Sequence, residues 1–512
     1  MTVPAIELKG ITKTFGHVVA NENVDLVVNR GEILSILGEN GSGKTTLMNM
    51  ISGIYYPDEG HIFIDGKEVT ISSPKDALDL KIGMIHQHFK LVDVFNATQN
   101  IVLGINEGKF DIKASTAKIK ETCEKYGFEI DMNKKIYEMS VSEKQTVEIV
   151  KAIYKGADIL ILDEPTAVLT PQETQKLFNV LRKMREDGKS IIIITHKLHE
   201  VLEISDRVSV LRKGKYIGTI NTADADEAIL TEMMVGEKIN LDIERSTPHD
   251  SVDRLVVKGI DLYNKEGVQV LHDISFTAKS GEILGIAGIS GSGQRELLEA
   301  IAGLQKISGG EILYNNPKTE KVEDLKDKTP LQIRNLGVRL SFVPEDRLGM
   351  GLVGNMDIVD NMMLRSYRKG KGVFLERKKP KQLADKIIED LQVVTPDTKT
   401  PVRRLSGGNV QKVLVGREIA SSPTVLMAAY PVRGLDINSS YTIYNLLNEQ
   451  KEKGVAVIFV GEDLDVLIDL CDRILVICGG RVTGIVNGRE AKKEEIGLLM
   501  TKGYKAGGEA DA

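Results

Sequence analysis

Residues 38–46 are rich in glycine and lie between an apolar segment and a segment with the composition of a helix. Their order, Gly-Glu-Asn-Gly-Ser-Gly-Lys-Thr-Thr, has the spacing Gly-x4-Gly-Lys-Thr of a phosphate loop. The preceding run, Ile33 to Leu37, predicts a buried parallel strand, and residues 47–51 predict the first turns of a helix. A strand, loop and helix in this order predict an α/β fold in which backbone N–H groups and a helix N-terminus cradle a polyphosphate. A turn that binds nothing is the less favoured alternative.

The loop residues predicted to bind the phosphates are Gly38, Glu39, Asn40, Gly41, Ser42, Gly43, Lys44, Thr45 and Thr46. Lys44 would reach the β- and γ-phosphates, and the Thr45 hydroxyl would bind Mg²⁺. A second apolar run, residues 159–162, leads into Asp163 and Glu164. At the end of a buried strand, Asp163 would hold Mg²⁺ and Glu164 would orient and deprotonate the attacking water.

Two further polar residues follow apolar runs, where the strands of a parallel sheet end. Gln87 would coordinate Mg²⁺ and sense the γ-phosphate, and His196 would donate a hydrogen bond to that phosphate. A lone histidine is more often a satisfied core residue, but the other motifs reverse that preference. Phe15 is a candidate for stacking on adenine, and a surface aromatic in a turn is nearly as good an interpretation.

The chain is an internal repeat. Gly31-Glu32-Ile33-Leu34 recurs 250 residues later, whereas Asp163, Ser140 and Asp206 have counterparts 266 residues later. The second copy therefore carries about 16 extra residues. Unbroken apolar runs alternate with helical segments in both copies, which is typical of parallel strands buried on both faces.

The repeat predicts two α/β ATPase domains in tandem, each with a helical subdomain inserted between its phosphate loop and its second motif. The expected boundaries are 1–240 for domain 1, 241–253 for a polar linker, 254–502 for domain 2 and 503–512 for a frayed tail.

The composition argues against nucleic-acid binding, a cysteine metal site and a membrane span. The net charge is −6, from 67 basic and 73 acidic residues, which gives no support for nucleic acid as the main partner. The chain has three cysteines, Cys123, Cys471 and Cys478, and no Cys-x-x-Cys motif. An odd and small number of cysteines indicates reduced thiols, and the spacing does not fit a cysteine metal site. No run is long and apolar enough to span a bilayer, and the N-terminus does not resemble a signal peptide.

With these residues in place, the chain resembles the ABC-type ATPases over about residues 5–500. The resemblance rests on the phosphate loop, Gln87, the segment at Ser140, Asp163-Glu164 and His196, and on Leu-Ser-Gly-Gly-Asn at 405–409. The tandem layout is similar to the fused ATPase subunits of bacterial importers for simple sugars and nucleosides. Residues 85–92, Ile-His-Gln-His-Phe-Lys-Leu-Val, are most similar to the nucleoside-type members.

In that family each nucleotide contacts the phosphate loop of one domain and the signature of the other, which implies nucleotide contacts for Ser406, Gly407 and Gly408. The second copy has lost its own chemistry: Lys44-Thr45 becomes Gln294-Arg295, and Asp163-Glu164 becomes Ala429-Tyr430. Gln87 is matched by Glu345, and His196 by Glu462. The first copy has the weaker signature, Ser140-Val141-Ser142. We therefore expect one active and one degenerate nucleotide site, with independent drift as the alternative.

The resemblance implies an ATPase that uses ATP and Mg²⁺ at the cytoplasmic face of the membrane. Its implied partners are two integral-membrane permeases, docking near residues 87–92 and 345–347, and an extracytoplasmic substrate-binding lipoprotein. Import of a ribose- or galactose-like sugar is the main alternative to nucleosides. A tandem ATPase acting on ribosomes or nucleic acid is a weaker alternative, and a nucleotide sensor without turnover is weaker still.

Overall fold

A computed structural model gives the fold of two compact units, residues Met1–Asn240 and Leu241–Ala512, which are called unit 1 and unit 2 below. The structure describes residues 3–86, 89–104, 112–167, 169–238, 243, 245–248, 251–289, 291–335, 340–344, 346–367 and 375–501. The predicted linker and tail boundaries remain predictions, and the tail at 503–512 lies outside the described residues.

The described part of unit 1 contains ten strands in two sheets. The strands are β1 Ile6–Phe15, β2 Val18–Val28, β3 Ile33–Leu37, β4 Glu59–Ile64, β5 Lys67–Val69, β6 Ile82–Ile85, β7 Ile159–Asp163, β8 Ser190–Ile194, β9 Arg207–Arg212 and β10 Lys215–Asn221. Six form a sheet in the order β10-β9-β3-β8-β7-β6, in which only the edge strand β10 is antiparallel. The other four form an antiparallel sheet in the order β2-β1-β4-β5.

The helices of unit 1 connect these strands. They are α1 Lys44–Ile51, α2 Pro74–Asp79, α3 Ala97–Val102, α4 Ile112–Tyr126, α5 Val141–Tyr154, α6 Pro171–Glu186, α7 Leu198–Ile204 and α8 Glu227–Val235, with 3₁₀ turns at Ile136–Glu138 and Thr222–Asp224. Helices α3, α4 and α5 lie between the phosphate loop and β7 and share a hydrophobic core of their own around Ile101, Ile119 and Val147. This insertion is the predicted helical subdomain.

Unit 2 repeats the arrangement. Its strands are β11 Asp253–Tyr263, β12 Gln269–Lys279, β13 Ile283–Ala287, β14 Gly309–Asn315, β15 Val322–Asp324, β16 Leu340–Val343, β17 Val425–Ala429, β18 Ala456–Val460, β19 Arg473–Cys478 and β20 Arg481–Asn487. Its helices are α9 Gln294–Ile301, α10 Pro330–Asn335, α11 Ile358–Met363, α12 Lys378–Asp390, α13 Gly407–Ala420, α14 Ile437–Glu452, α15 Leu464–Leu470 and α16 Lys493–Thr501, with a π-helical turn at Arg347–Gly351 and a 3₁₀ turn at Val402–Arg404.

The sheets of unit 2 have the same strand order as those of unit 1. The six-stranded sheet runs β16-β17-β18-β13-β19-β20 and the four-stranded sheet runs β12-β11-β14-β15. The predicted duplication of one α/β fold is thus confirmed strand by strand.

Apolar residues on both faces explain why the central strands have no polar alternation. In β7, Ile159 and Ile161 face the core shared with the four-stranded sheet, while Leu160 and Leu162 face the core shared with α5 and α6. Side chains alternate across a strand, so a strand covered on both faces must be apolar throughout. The buried strands hold the loops at their carboxyl ends in fixed positions.

One position of the repeat differs sharply in burial between the units. In unit 1, Arg185 donates to Asp206 at 2.8 Å, and both side chains are about a third exposed. In unit 2 the same position is Lys451, which donates to Asp472 at 2.8 Å with 1% of its side chain exposed. Lys451 also donates to the Ser246 carbonyl at 2.5 Å. The segment at 245–248 is therefore anchored onto unit 2 through a buried cation.

We predict that Lys451→Met destabilises unit 2 by about 3–5 kcal/mol, because the substitution leaves the Asp472 carboxylate buried without its cation. The matched change Arg185→Met breaks an exposed pair and is expected to cost less than about 1 kcal/mol. Native-state hydrogen exchange in β13 and β19, compared with β3 and β9, measures both effects. Equal losses in the two variants would contradict this assignment.

Candidate functional site

The phosphate loop follows β3, whose five residues are all buried. Gly43 is the N-cap residue of α1, with a φ of 95°, and a Cβ there would lie 2.3 Å from the Ala20 carbonyl oxygen. A Cβ on Gly38 would lie 2.3 Å from the Leu211 carbonyl oxygen. Both positions therefore require glycine, since the loop backbone is packed directly against two strands. The glycine spacing seen in the sequence is a consequence of this packing.

Lys44 is the first residue of α1, and it is 6% exposed. Its ammonium donates to the carbonyl oxygens of Gly38 at 2.5 Å and Glu39 at 2.9 Å. Burial lowers the pKa of Lys44, and the carboxylates of Glu164, Asp163 and Glu39 oppose that shift. A cation is thus held inside the loop, close to the second motif, where it can neutralise a phosphate oxygen.

Asp163 is the last residue of β7 and is 8% exposed. Burial and then the neighbouring Glu164 charge raise its pKa to about 6, although Thr45 and Lys44 act in the other direction. The Thr45 hydroxyl donates to Asp163 Oδ2 at 3.4 Å. The structure therefore brings the two predicted magnesium ligands together at the edge where β3 and β7 end.

A magnesium ion suits this pair chemically, since a hydroxyl and a carboxylate are hard oxygen donors. Burial, and then the neighbouring Glu164 charge, raises the pKa of Asp163, and a divalent cation beside it would act in the opposite direction. Among the residues that the structure describes, no three His, Cys, Asp or Glu side chains form a metal cluster. Mg²⁺ would accordingly be held by Thr45, Asp163 and the phosphate oxygens of its nucleotide.

Glu164 follows β7 in a left-handed conformation, with a φ of 48°. Its N–H donates to the Ile194 carbonyl at 2.9 Å, which fixes this turn against the end of β8. His196 Nδ1 lies 2.9 Å from Glu164 Oε1, and this contact is the largest cause of the lowered pKa of Glu164. The histidine predicted to contact the γ-phosphate thus contacts the predicted base, keeping it ionised and oriented.

The two remaining predicted residues of unit 1 are Gln87 and Phe15. Gln87 lies outside the described residues, and in the sequence it stands two positions after the last residue of β6. Phe15 ends β1 and is 44% exposed, with its ring edge-on to Tyr55 at a centroid distance of 5.2 Å. Tyr55 was not predicted, although it stands in an exposed Ile-Tyr-Tyr run after α1 that could have drawn attention.

Sequence reasoning also missed a buried polar network behind the second motif. Lys197 donates to Glu200 at 3.0 Å and to the Thr166 carbonyl at 3.2 Å, and the Thr166 hydroxyl donates to Glu200. Lys197 adds a further charge that lowers the pKa of Glu164. The signal available in the sequence was Thr166 directly after Pro165 and Lys197 directly after His196, but no pattern pairs them.

Unit 2 keeps the backbone of this site without its chemistry. Tyr430 has the same φ of 48° as Glu164, and its N–H donates to the Val460 carbonyl at 2.9 Å. Gln294 occupies the place of Lys44 and donates to the Ile289 carbonyl at 3.2 Å. Arg295, in place of Thr45, pairs with Glu299 at 2.7 Å. No carboxylate replaces Asp163, where β17 ends in Ala429.

The two signature segments also differ in what their side chains do. In unit 1, Ser140 caps α5 and its hydroxyl lies 3.1 Å from that of Ser142. In unit 2, Ser406 caps α13 and accepts a hydrogen bond from Asn409 Nδ2 at 2.8 Å. Gly407 is exposed, so its backbone is open to a ligand, whereas Gly408 is buried and a Cβ there would lie 3.0 Å from Ser439 Oγ.

Comparison with known proteins agrees with this geometry. The ABC transporter family matches residues 21–167 and 271–431, once in each unit. The chain belongs to the ABC transporter family. It is 42% identical over 502 residues to the guanosine import ATP-binding protein NupO of Bacillus subtilis, covering 97% of both chains. It is 39% identical over 547 residues to the glucose import ATP-binding protein TsgD13 of Haloferax volcanii, covering 99% of this chain and 98% of that protein.

This ABC protein also has a solved structural neighbour of similar length. The archaeal ribosome recycling factor aABCE1, solved in complex with the ribosomal stalk protein aP1, matches 94% of this chain with a TM-score of 0.60. At 16% identity that likeness shows the tandem ABC fold alone.

Family and relatives confirm three predictions: the recognised family, the tandem P-loop fold, and ATP hydrolysis coupled to import as an ATP-binding subunit. The names of these two relatives describe ATP-binding proteins of guanosine import and of glucose import. No helix in the described part of the chain is long and apolar enough to cross a membrane.

The raised pKa of Asp163 generates a prediction on stability. Between its usual pKa near 3.8 and the value of about 6, the folded chain binds more protons than the unfolded chain. The free energy of unfolding therefore falls as pH rises through that window. We expect Asp163→Asn to stabilise the protein by about 2–3 kcal/mol at pH 8 in the absence of nucleotide, since one pKa unit corresponds to about 1.4 kcal/mol.

Urea unfolding at pH 8 and at pH 4 provides the test, because the gain should disappear at the lower pH. Asp158→Asn is the control: cations at Lys81 and Lys189 lower the pKa of Asp158, so its removal should destabilise the protein at pH 8. A gain of equal size at both pH values would overturn the assignment to Asp163 ionisation.

Proposed function

We propose that unit 1 hydrolyses ATP at the site built by residues 38–46, Asp163, Glu164 and His196, and that this hydrolysis energises nucleoside import. The observation that supports it is the meeting of a buried cation, two carboxylates of opposite pKa shift and a histidine at one sheet edge. Environments that push two neighbouring carboxylates apart in pKa are a mark of divided roles in catalysis.

The roles follow from those contacts. Glu164, kept ionised by His196, accepts the proton of the water that attacks the γ-phosphorus, and the bond to the β-phosphate oxygen breaks to leave ADP and phosphate. Lys44 balances charge on the β- and γ-phosphates, and the N–H groups of the loop bind their oxygens. Thr45, Asp163 and Gln87 would hold Mg²⁺, which would supply positive charge to offset that of the phosphates. Phe15 stacks on the adenine.

We further propose that the signature residues Ser406, Gly407 and Gly408 contact the triphosphate bound by Lys44. This step rests on the resemblance to the family and on the intact glycines of unit 2. A helix N-terminus with a serine cap is suited to an anionic γ-phosphate. The counterpart loop of unit 2, with Gln294 and without a carboxylate at Ala429, is proposed to be catalytically silent.

The proposed substrate is a nucleoside. The support is the segment 85–92 and the 42% identity to a guanosine importer subunit, against 39% for a glucose importer subunit. A simple sugar such as ribose or glucose is the second candidate, favoured by the near equality of those two values. The chain would work at the cytoplasmic face of the membrane with two permeases, docking near residues 87–92 and 345–347, and a substrate-binding lipoprotein.

Lys44→Ala is expected to weaken nucleotide binding about 10–100-fold, because a charge-assisted hydrogen bond contributes about 1.5–3 kcal/mol. Glu164→Gln is expected to lower kcat at least about 100-fold with little change in nucleotide affinity, since general-base catalysis contributes 10²–10⁴-fold. Phosphate release and equilibrium binding of labelled ATP by the purified chain measure the two effects.

Gln294→Ala is the matched control for Lys44→Ala, since it changes the same position of the repeat in the degenerate loop. Phosphate release should remain within about twofold of the unchanged chain. Equal losses from Lys44→Ala and Gln294→Ala would refute the assignment of hydrolysis to unit 1.

Uptake into vesicles that contain this chain, its genetic-neighbour permeases and its binding protein tests the substrate. We expect labelled guanosine to enter and to be displaced by other nucleosides but not by free ribose or glucose, because pockets built for a base leave polar groups unpaired with a sugar. Accumulation of ribose or glucose without nucleoside uptake would select the second candidate.

A further inference from the structure

The π-helical turn Arg347–Gly351 lies in a segment of unit 2 that is longer than its counterpart in unit 1. Strands β6 and β16 are related by an offset of 258 residues. Further along, Asn100 accepts from Val92 N–H and Asn361 accepts from Val353 N–H, and these pairs are related by an offset of 261 residues. Unit 2 therefore carries three additional residues between β16 and Val353, in the segment that contains Arg347.

Arg347 reaches from this turn to two other loops of unit 2. Its Nη2 donates to the Arg433 carbonyl, and its Nη1 lies 3.5 Å from the carbonyl of Gly407, the first residue of α13. A Cβ on Gly407 would lie 3.2 Å from Nη1. The guanidinium therefore sits against the signature backbone and bridges it to the loop after β17.

Residues in positions of the lost catalytic groups continue the same network. Arg433 Nε pairs with Glu462 at 3.2 Å, and its guanidinium carbon lies 6.0 Å from the centre of the Tyr430 ring. Glu462 and Tyr430 stand where unit 1 has His196 and Glu164, and Arg433 stands where it has Ala167. In unit 2, Tyr430 and Glu462 therefore contact Arg433, whereas in unit 1 the corresponding residues are the predicted base and the histidine that contacts it.

We propose that Arg347 is a positioning residue for the signature: with Arg433, Glu462 and Tyr430 it fixes the start of α13. The proposal rests on the proposed function in one respect, that Ser406–Gly408 contact the ATP held by Lys44. Its local content, that Arg347 holds the signature turn, is independent of that step.

The chemistry of the guanidinium supports this role. The two carbonyl acceptors lie on separate loops. The planar guanidinium of arginine carries several N–H donors that point in different directions, so one side chain can donate to both carbonyls. A lysine carries its donors on one flexible ammonium and can retain only one of the two contacts in the same geometry. Arg347 is partly buried, whereas its two hydrogen bonds lie in exposed surroundings.

Arg347→Ala, Arg347→Lys and the control Arg481→Ala, which removes an exposed arginine of β20, test the proposal in the full-length chain. For Arg347→Ala we expect kcat for ATP to fall at least about tenfold while KM changes less than about threefold, because losing charge-assisted bonds shifts an equilibrium by one to two orders of magnitude. Arg347→Lys should lie between the unchanged chain and the alanine variant, and Arg481→Ala should match the unchanged chain.

Hydrogen exchange supplies a readout that does not depend on turnover. In Arg347→Ala, amides of residues 405–412 should exchange at least about fivefold faster, while residues 139–146 of the unit 1 signature keep their rates. Faster exchange confined to 405–412 together with a selective loss of kcat supports the proposal. Unchanged exchange at 405–412, or a kcat within about twofold of the unchanged chain, overturns it.

The same measurements separate this proposal from the proposed function. If the unchanged chain releases no phosphate above the Lys44→Ala background, the proposed function fails, and exchange at 405–412 alone decides the role of Arg347. If amide exchange at 405–412 becomes faster in Arg347→Ala but kcat is unchanged, Arg347 holds the signature turn without affecting the reaction. That result refutes the positioning role.

Discussion

Burial of the Lys44 ammonium is the interaction on which the phosphate-loop site of unit 1 depends. A cation that is 6% exposed must be compensated, and the loop does so with two carbonyls while Glu164, Asp163 and Glu39 supply negative charge. The cost is shared among groups that each have a chemical task. Removing one member changes the electrostatics of the others.

In the second copy the lysine and both carboxylates are replaced together, by Gln294, Ala429 and Tyr430. An ammonium in place of Gln294 would be buried in a loop that has no carboxylate at Ala429 or Tyr430 to offset its desolvation. A neutral amide makes a similar contact to the loop carbonyl at a lower electrostatic cost. The frame survives nonetheless: the left-handed turn at Tyr430 and its bond to Val460 match those of Glu164, because strand pairing fixes them and side-chain chemistry does not.

Much of the site was open to prediction from the sequence because its parts occupy fixed places in a strand–loop–helix unit. The loop residues, the strand-end carboxylates and the repeat all follow from local patterns, and the structure places them as those patterns indicate. The partner of His196 was not predictable, since the hydrogen bond to Glu164 joins residues 32 positions apart across two strand ends. The contacts of Arg347 were equally hidden, because they cross 60 and 86 positions of the chain.

The sequence by itself determined the duplicated α/β fold, the phosphate loop and the unequal chemistry of the two copies. These three features can be read from the spacing of residues that are close in the sequence and from apolar segments that must be buried on both faces. Only the tertiary structure decided in which direction the pKa values of these groups shift and which backbone segments are held together. Burial, and then the adjacent Glu164 charge, raises the pKa of Asp163, whereas the hydrogen bond with His196 lowers the pKa of Glu164. The contacts of His196 with Glu164 and of Arg347 with Gly407 join residues that are distant in the sequence and meet only in the folded chain.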